Sequence, residues 1–230
     1  MTFSLCPICS VPGSPYYQIS HKNRPFLLCL ECTLIYQEEM TLPSAEEERT
    51  RYELHRNDPA DEGYRKWLHS FIHSSVLPWY KDGRILDFGS GPHPVLSDLL
   101  KEQGYPVVSY DPFFAPQWPG EHDFSLILLC EVLEHISNPL SSFRKLCSLA
   151  SEGTVLSLKT QFLTFSVFDS EGGKDFEQWW YKEDPTHIRF YNPRSLRILG
   201  ERSGWELVSE DGSSLAVYKK AASLKESRSQ

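Results

Sequence analysis

Four cysteines near the start of the chain occur as two C-x-x-C pairs, Cys6 with Cys9 and Cys29 with Cys32. Each pair places two sulfurs on one side of a tight turn, and two such turns facing each other form the tetrahedral four-thiolate set that suits zinc. Four thiolates fill the coordination shell, so the predicted zinc is structural. The alternative is a pair of disulfides or four unrelated cysteines.

A glycine-rich turn follows a strand-like segment in RILDFGSGPHPVL, Arg84 to Leu96. A dinucleotide pyrophosphate is typically bound by G-x-G-x-x-G at a helix N-terminus. Here the third glycine is missing, and Asp87 would repel a pyrophosphate. A cofactor with a cationic amine and no phosphate fits better, and S-adenosylmethionine is such a molecule. Asp87 can bind its ammonium, while Gly89 and Gly91 let the backbone approach its methionine part.

The next predicted strand ends in VVSYDPFF, which places Asp111 after the strand. An acidic residue at that point can accept hydrogen bonds from both ribose hydroxyls of a nucleoside. Phe113 and Phe114 are candidates to flank the adenine, although they are equally typical of a core. Trp118 and Glu121 are further candidates for contact with the adenine.

Polar groups also follow a later strand and lie in a long aromatic insertion. Cys130 and Glu131 are expected at the carboxyl edge of the sheet, where ligands bind in this architecture. His187 in DPTHIRFY is the candidate general base, because imidazole titrates near neutrality, with a pKa of about 6.5. Tyr181 in WWY is a second candidate catalytic residue. The alternative is an insertion packed by its own aromatics, with Asp184 and His187 bracing the loop.

Strand and helix patterns alternate from residue 84 onward, which predicts an α/β fold with a doubly wound, mostly parallel sheet. The predicted strands are 84–88, 107–110, 124–129, 154–159, 205–209 and 215–219. The predicted helices are 94–103, 139–148 and 193–203. The connection EDGSS is short enough for a hairpin, so we expect the last two strands to form an antiparallel pair at the sheet edge.

Ahead of this sheet, apolar residues recur at helical spacing at Trp67, Leu68, Phe71 and Ile72. They predict a helix over 62–76, and all four are expected to belong to the core. The charged, turn-rich stretch 41–61 is interpreted as a linker with one helical piece near 45–54. The predicted divisions are therefore a four-cysteine segment 1–40, a linker 41–61, an α/β domain 62–220 and a flexible tail 221–230.

Composition limits the classes of partner. The formal net charge of -8 disfavours general affinity for nucleic acid. No apolar run approaches the roughly 20 residues that cross a bilayer, and the N-terminus lacks the pattern of a signal peptide. These features predict a cytoplasmic protein with reduced thiols and no membrane partner.

The motifs LDFGSG, YDPF and CEVLEHISNP together resemble those of class I S-adenosylmethionine-dependent methyltransferases. The resemblance covers about residues 63–220. It implies the family's Rossmann-like sheet of the seven-stranded type, with the third strand short or absent because few residues separate Asp111 from Phe124. CPIC and CLEC resemble a small zinc-binding segment ahead of some bacterial members, which include enzymes acting on sugar nucleotides and on ribosomal RNA.

The resemblance also implies roles for individual residues. Asp87, Gly89 and Gly91 would hold the methionine part of the cofactor and Asp111 its ribose, with the region of Cys130 and Glu131 beside it. The family builds its acceptor pocket in the insertion that follows the strand 154–159. The pattern EVLEH occurs in methyltransferases with unlike substrates, which favours a structural role for His135.

Three functions remain open at this point. The first is methyl transfer to a small-molecule or sugar-like metabolite. The second is methyl transfer to RNA with the zinc segment as a reader, which requires a basic face around Lys22, Arg24, Arg49 and Arg51. The third is a non-catalytic binding module built on a methyltransferase scaffold, although such a scaffold does not need Asp87, the glycines and Asp111 at these spacings.

Overall fold

The computed structural model describes residues 4–19, 24–54, 57–120, 124–168 and 170–221. Lys22, Glu121 and tail residues 222–230 lie outside these described residues. The described helices are α1 (Ala45–Glu53), α2 (Glu62–Ser75), α3 (Val95–Glu102), α4 (Pro139–Ser148), α5 (Ser170–Gln178) and α6 (Pro193–Ser203). The described strands are β1 (Ser14–Ile19), β2 (Arg24–Leu28), β3 (Ile35–Gln37), β4 (Arg84–Phe88), β5 (Val107–Tyr110), β6 (Phe124–Cys130), β7 (Ala150–Lys159), β8 (Arg189–Phe190), β9 (Trp205–Glu210) and β10 (Leu215–Lys220).

A six-stranded sheet in the order β5-β4-β6-β7-β10-β9 forms the centre of the α/β part. Strands β5, β4, β6 and β7 are parallel, and β10 is antiparallel to both β7 and β9. Strand β6 reads FSLILLC and is almost entirely buried, as expected for a central parallel strand covered on both faces. The predicted fold class and the antiparallel edge hairpin are confirmed.

The edge of the sheet beyond β5 is short of one strand relative to the seven-stranded type. Between β5 and β6, the described residues contain only an isolated bridge that joins Asp111 and Ala115. Strand β5 is therefore an edge strand in the described sheet, and its four residues are only partly buried. The short connection leaves the end of β5 close to the glycine-rich turn after β4.

A second sheet, in the order β1-β2-β3-β8, joins the N-terminal segment to the rest of the chain. Strands β1 and β2 form an antiparallel hairpin between the two cysteine pairs. Strand β3 pairs with β8, with Ile35 opposite Phe190 and Tyr36 opposite Arg189. The N-terminal segment is thus hydrogen-bonded to the loop that carries His187. The division of the chain at residues 40 and 61 stays a prediction.

Helix α2 matches the predicted helix, but one of its four expected core residues is misplaced. Leu68, Phe71 and Ile72 are buried, as predicted. Trp67 is 36% exposed, so its assignment to the core was wrong. Its ring stacks on Tyr64 rather than inserting between helix and sheet. The periodicity of apolar residues does not separate a core position from one at the rim of a cavity.

None of the helices in the described ranges combines the length and the apolar character needed to cross a membrane.

Candidate active site and metal centre

The two C-x-x-C turns bring their four sulfurs together, all within 4.8 Å of one another, at Cys6, Cys9, Cys29 and Cys32. All four cysteines are buried free thiols. The Cys6 and Cys32 sulfurs are 3.6 Å apart, and two sulfurs bound tetrahedrally at about 2.3 Å from one zinc ion lie about 3.8 Å apart. The arrangement fits a four-thiolate metal site and not a pair of disulfides.

The thiols of this cluster influence one another's ionisation. Hydrogen bonds from Cys32 and Cys6 lower the pKa of Cys29. Hydrogen bonds with Cys29 and Cys6, together with burial, raise the pKa of Cys32. A buried cluster of four thiolates is therefore costly without a compensating cation, and a divalent metal ion supplies that charge.

The carboxyl end of β4 carries Asp87, which is 2% exposed. Its Oδ2 accepts a hydrogen bond from Ser97 Oγ at 2.7 Å. Burial raises the pKa of Asp87 to about 6, because the charged form loses its hydration. Asp87 nevertheless lines the large cavity described below, so a cation bound there would favour its charged form.

The turn after β4 depends on two glycines with positive φ. Gly89 has φ +82°, and a Cβ at this position would lie 2.5 Å from a methyl group of Val132. Gly91 has φ +68°, and no heavy atom lies within 4 Å of the position that its Cβ would take. Gly89 thus permits close packing on the loop after β6, and Gly91 leaves space on the cavity side.

Asp111, at the end of β5, is tied to the glycine-rich turn. Its Oδ2 accepts from the Gly91 amide at 2.9 Å, and its Oδ1 accepts from the amides of Phe113 and Phe114 at 2.8 and 3.1 Å. A carboxylate has about four acceptor positions, so Asp111 can still accept from a ligand. The contacts hold the ends of β4 and β5 at one place.

One cavity of about 1060 Å³ connects these features. It is lined by all eight residues that the sequence predicted for cofactor binding and catalysis, namely Asp87, Gly89, Gly91, Asp111, Cys130, Glu131, Tyr181 and His187. The structure therefore brings the predicted residues together, while their individual roles remain predictions. Phe113 and Trp118 also line the cavity, whereas Phe114 contacts the Arg49 guanidinium.

Sequence reasoning missed the wall that α1 and α2 provide. Glu48 and Tyr52 lie in the stretch interpreted as a linker, and Tyr64 and Trp67 lie on α2, yet all four line the cavity. The i, i+4 spacing of Glu48 and Tyr52 places both on one face of α1 and was the available signal. The Tyr52 ring meets the His135 ring edge to face at 5.3 Å.

Two buried glutamates meet the phenol of Tyr181 at the end of β6. The Tyr181 hydroxyl lies 2.6 Å from Glu134 Oε1 and 3.1 Å from Glu131 Oε2. Burial and the neighbouring Glu134 raise the pKa of Glu131 to about 8. Burial also raises the pKa of the Tyr181 phenol, and its hydroxyl donates to Glu134.

Glu131 has a strained backbone. Its φ is +54°, in the left-handed region that few non-glycine residues adopt. Its amide donates to the carbonyl of Lys159 on β7. Strain of this kind persists where surrounding structure holds it and concentrates at functional sites.

Two histidines, His135 and His187, lie side by side in the cavity lining near Tyr181. His187 Nδ1 lies 2.7 Å from the Tyr181 carbonyl, and His135 Nδ1 lies 2.9 Å from the Thr186 carbonyl. The His135 and His187 ring centroids are 4.8 Å apart. The Asp184 carboxylate accepts from Arg51 and from Thr186, which is the loop-bracing contact that the sequence left open.

A family profile described as "Methyltransferase domain" matches residues 58–210, about two thirds of the chain. The chain belongs to this methyltransferase family. No curated protein matches the chain in sequence.

Solved structures show the same fold at low sequence identity. The PH0226 protein from Pyrococcus horikoshii OT3 is 14% identical, with a TM-score of 0.54 over 75% of this chain and 98% of that one. The [4+2]-cyclase SpnF is 13% identical, with a TM-score of 0.52 over 79% and 98%. CalO1, a methyltransferase of calicheamicin biosynthesis in its SAH-bound form, is 13% identical with a TM-score of 0.46. The matched region covers 69% of this chain and 56% of CalO1.

Proposed function

We propose that the protein transfers a methyl group from S-adenosylmethionine to a small-molecule or sugar-like acceptor inside the cavity. The observation that carries this proposal is the single cavity of about 1060 Å³ that runs from the glycine-rich turn to His187. Sites for small ligands and cofactors are usually about 300–1,000 Å³. The volume therefore accommodates the cofactor together with a small acceptor.

The cofactor occupies the half of the cavity next to β4 and β5. Asp87 binds the ammonium of the methionine part, and the backbone at Gly89 and Gly91 lies against that part. The remaining acceptor capacity of Asp111 binds the ribose hydroxyls. The adenine contacts Phe113 and Trp118, which line the cavity beyond the end of β5, and Cys130 and Glu131 lie beside the cofactor.

The acceptor occupies the half next to Tyr181 and His187. Transfer breaks the bond from sulfur to the methyl carbon while a bond forms to the acceptor, and the electron pair stays on sulfur to give S-adenosylhomocysteine. His187 is the proposed base. Because the Tyr181 carbonyl can only accept, Nδ1 of His187 carries its proton, and Nε2 is the atom that takes the acceptor proton.

We propose a structural zinc ion for the four-cysteine cluster. The second C-x-x-C turn of the cluster contacts the start of α6. There the Arg194 guanidinium donates to the Glu31 carbonyl, and the Thr33 hydroxyl donates to Asn192 Oδ1. Metal binding in so small a segment supplies folding free energy. The zinc would thereby hold β3 in place against β8.

The basic face expected for an RNA methyltransferase finds little support among the described residues. Arg24 is buried and donates to the Lys182 and His187 carbonyls. Arg49 pairs with Glu53, and Arg51 pairs with Asp184. These three cations are engaged within the chain, which favours a small acceptor over a phosphate backbone.

The acceptor class is testable with methyl-labelled S-adenosylmethionine offered with a metabolite extract or with total RNA. We expect label in the small-molecule fraction, and little label in that fraction with His187→Gln, because proton removal is lost. His69→Gln, at an exposed position on α2, is the matched control and should behave as the wild type. Label confined to RNA would reject the small-molecule proposal.

A further inference from the structure

His187, the proposed base, lies close to two further side chains that the proposed transfer does not use. One ligand atom each from Glu134, His135 and His187 lies within 4.8 Å of the others. Three atoms 4.8 Å apart each lie about 2.8 Å from the point midway between them, so a shift of each by about 0.7 Å brings all three to about 2.1 Å from one ion.

Both histidines make the main-chain contact that is common for metal-bound histidines. The Nδ1 atoms of His135 and His187 contact main-chain carbonyls of Thr186 and Tyr181 at 2.9 and 2.7 Å. A carbonyl accepts and cannot donate, so each Nδ1 carries a proton. Each neutral ring then has its lone pair on Nε2. A backbone carbonyl that fixes the tautomer in this way is the usual outer partner of a metal-bound histidine.

One oxygen of the Glu134 carboxylate has no hydrogen-bond partner among the described residues. Its side chain is 0% exposed. Oε1 accepts from Tyr181, but buried Oε2 has no hydrogen-bond partner among the described residues. The Nε2 atom of His135 lies 3.9 Å from Glu134 Oε1. A buried carboxylate in this condition requires a cation or a proton.

We propose that Glu134, His135 and His187 bind a divalent cation in the wall of the cavity. Two imidazoles and one carboxylate suit first-row ions such as Mn²⁺, Fe²⁺, Co²⁺ and Zn²⁺. Three protein ligands leave coordination positions open. His135 and His187 line the cavity, so the open positions face the acceptor.

The cation site also narrows the acceptor class, a step that rests on the proposed methyl transfer. A hydroxyl oxygen bound to the cation has a lowered pKa and loses its proton to water. The alkoxide then bonds to the methyl carbon as the sulfonium bond breaks, with the electron pair left on sulfur. With the cation bound, His187 is a ligand, and the cation takes over the activation of the acceptor.

Manganese titration followed by electron paramagnetic resonance tests the site directly, with zinc left in the four-cysteine cluster. Thiolates select zinc over Mn²⁺, so the two sites are distinguishable. We expect one bound Mn²⁺ per chain, and at least about tenfold weaker binding in Glu134→Gln and His135→Gln. His69→Gln should bind Mn²⁺ as the wild type does.

Pulsed electron paramagnetic resonance of Mn²⁺ bound to the wild type tests the ligands without any variant, so the test holds even if a variant fails to fold. Nitrogen coupling from histidine supports the site. Absence of bound Mn²⁺, or bound Mn²⁺ without nitrogen coupling, overturns the proposal. S-adenosylmethionine binding is measured in the same samples, so that loss of the cation site is separated from failure of the methyltransferase assignment.

Discussion

At the scale of single residues, the charged form of Asp87 destabilises the fold, although we propose that the same charge binds the cofactor. Its carboxyl is buried, and its pKa is raised to about 6 from 3.8 because burial penalises the charge. At neutral pH the folded protein therefore carries an anion that the unfolded chain tolerates better. Groups retained at such a cost are typical of binding sites, and the ammonium of the cofactor is the cation that we propose to stabilise it.

We predict that Asp87→Asn raises the free energy of unfolding at pH 7.5 and weakens binding of S-adenosylmethionine. A pKa raised from 3.8 to about 6 corresponds to at most about 3 kcal/mol. The penalty is absent below pH 3.8, grows as pH rises to 6 and is complete above it. The stabilisation should therefore be smaller at pH 5 than at pH 7.5, which denaturant unfolding at both values measures.

The control for this variant is Asp98→Asn, on exposed α3 surface, which should change neither quantity. A variant at Asp87 with unchanged cofactor affinity would remove Asp87 from the binding site. A variant that is destabilised at pH 7.5 would show that the burial penalty is not the dominant effect of this carboxyl.

At the scale of elements, the pairing of β3 with β8 couples the cysteine cluster to the proposed acceptor site. Cys32 lies just before β3, and β8 begins two residues after His187. The Arg24 guanidinium adds bonds to the Lys182 and His187 carbonyls at 3.0 and 2.9 Å. Loss of metal should therefore be transmitted to the loop that positions His187, and much less to the turn after β4.

We predict that Cys29→Ser, which removes one of the four thiolates, lowers zinc content and increases amide exchange in residues 186–191. Methyl transfer should fall by about tenfold or more, because His187 loses its fixed position. Binding of S-adenosylmethionine should persist if the sheet stays folded. Hydrogen exchange by mass spectrometry and metal analysis measure the first two effects.

Cys147→Ser, which changes a cysteine outside the cluster, is the matched control and should keep zinc and activity. Retained zinc with unchanged exchange at residues 186–191 in Cys29→Ser would contradict the coupling between the two elements.

The sequence predicted regular elements better than it predicted the walls of the cavity. Strand β6 and helices α4 and α6 are recognisable because hydrophobic periodicity and capping residues are local signals. Trp67 was misassigned because its surroundings depend on where β7 and its Lys159 lie, which is non-local information. Tyr52 was missed because its spacing with Glu48 indicates a shared face of α1 but not that this face lines a cavity, which is also non-local information.

At the scale of the whole molecule, one cavity is assembled from segments distant in the chain. Residues of α1, α2, the β4 and β5 ends, the β6 end and the 180–187 segment all line it. The ends of the parallel strands supply the cofactor half, as expected for α/β sheets. The inserted segment lines the half that we propose for the acceptor, and Arg24 of the N-terminal sheet supports it through the Lys182 and His187 carbonyls. A shared fold does not determine this half.

Calorimetric titration of the wild type with S-adenosylmethionine and with S-adenosylhomocysteine tests the central claim most directly. We predict that one molecule of either binds per chain, and that Asp111→Ala weakens both, because each carries the same ribose. Absence of binding for both, in folded protein with its zinc in place, would contradict the assignment of the cavity as a cofactor site and would point to a non-catalytic scaffold.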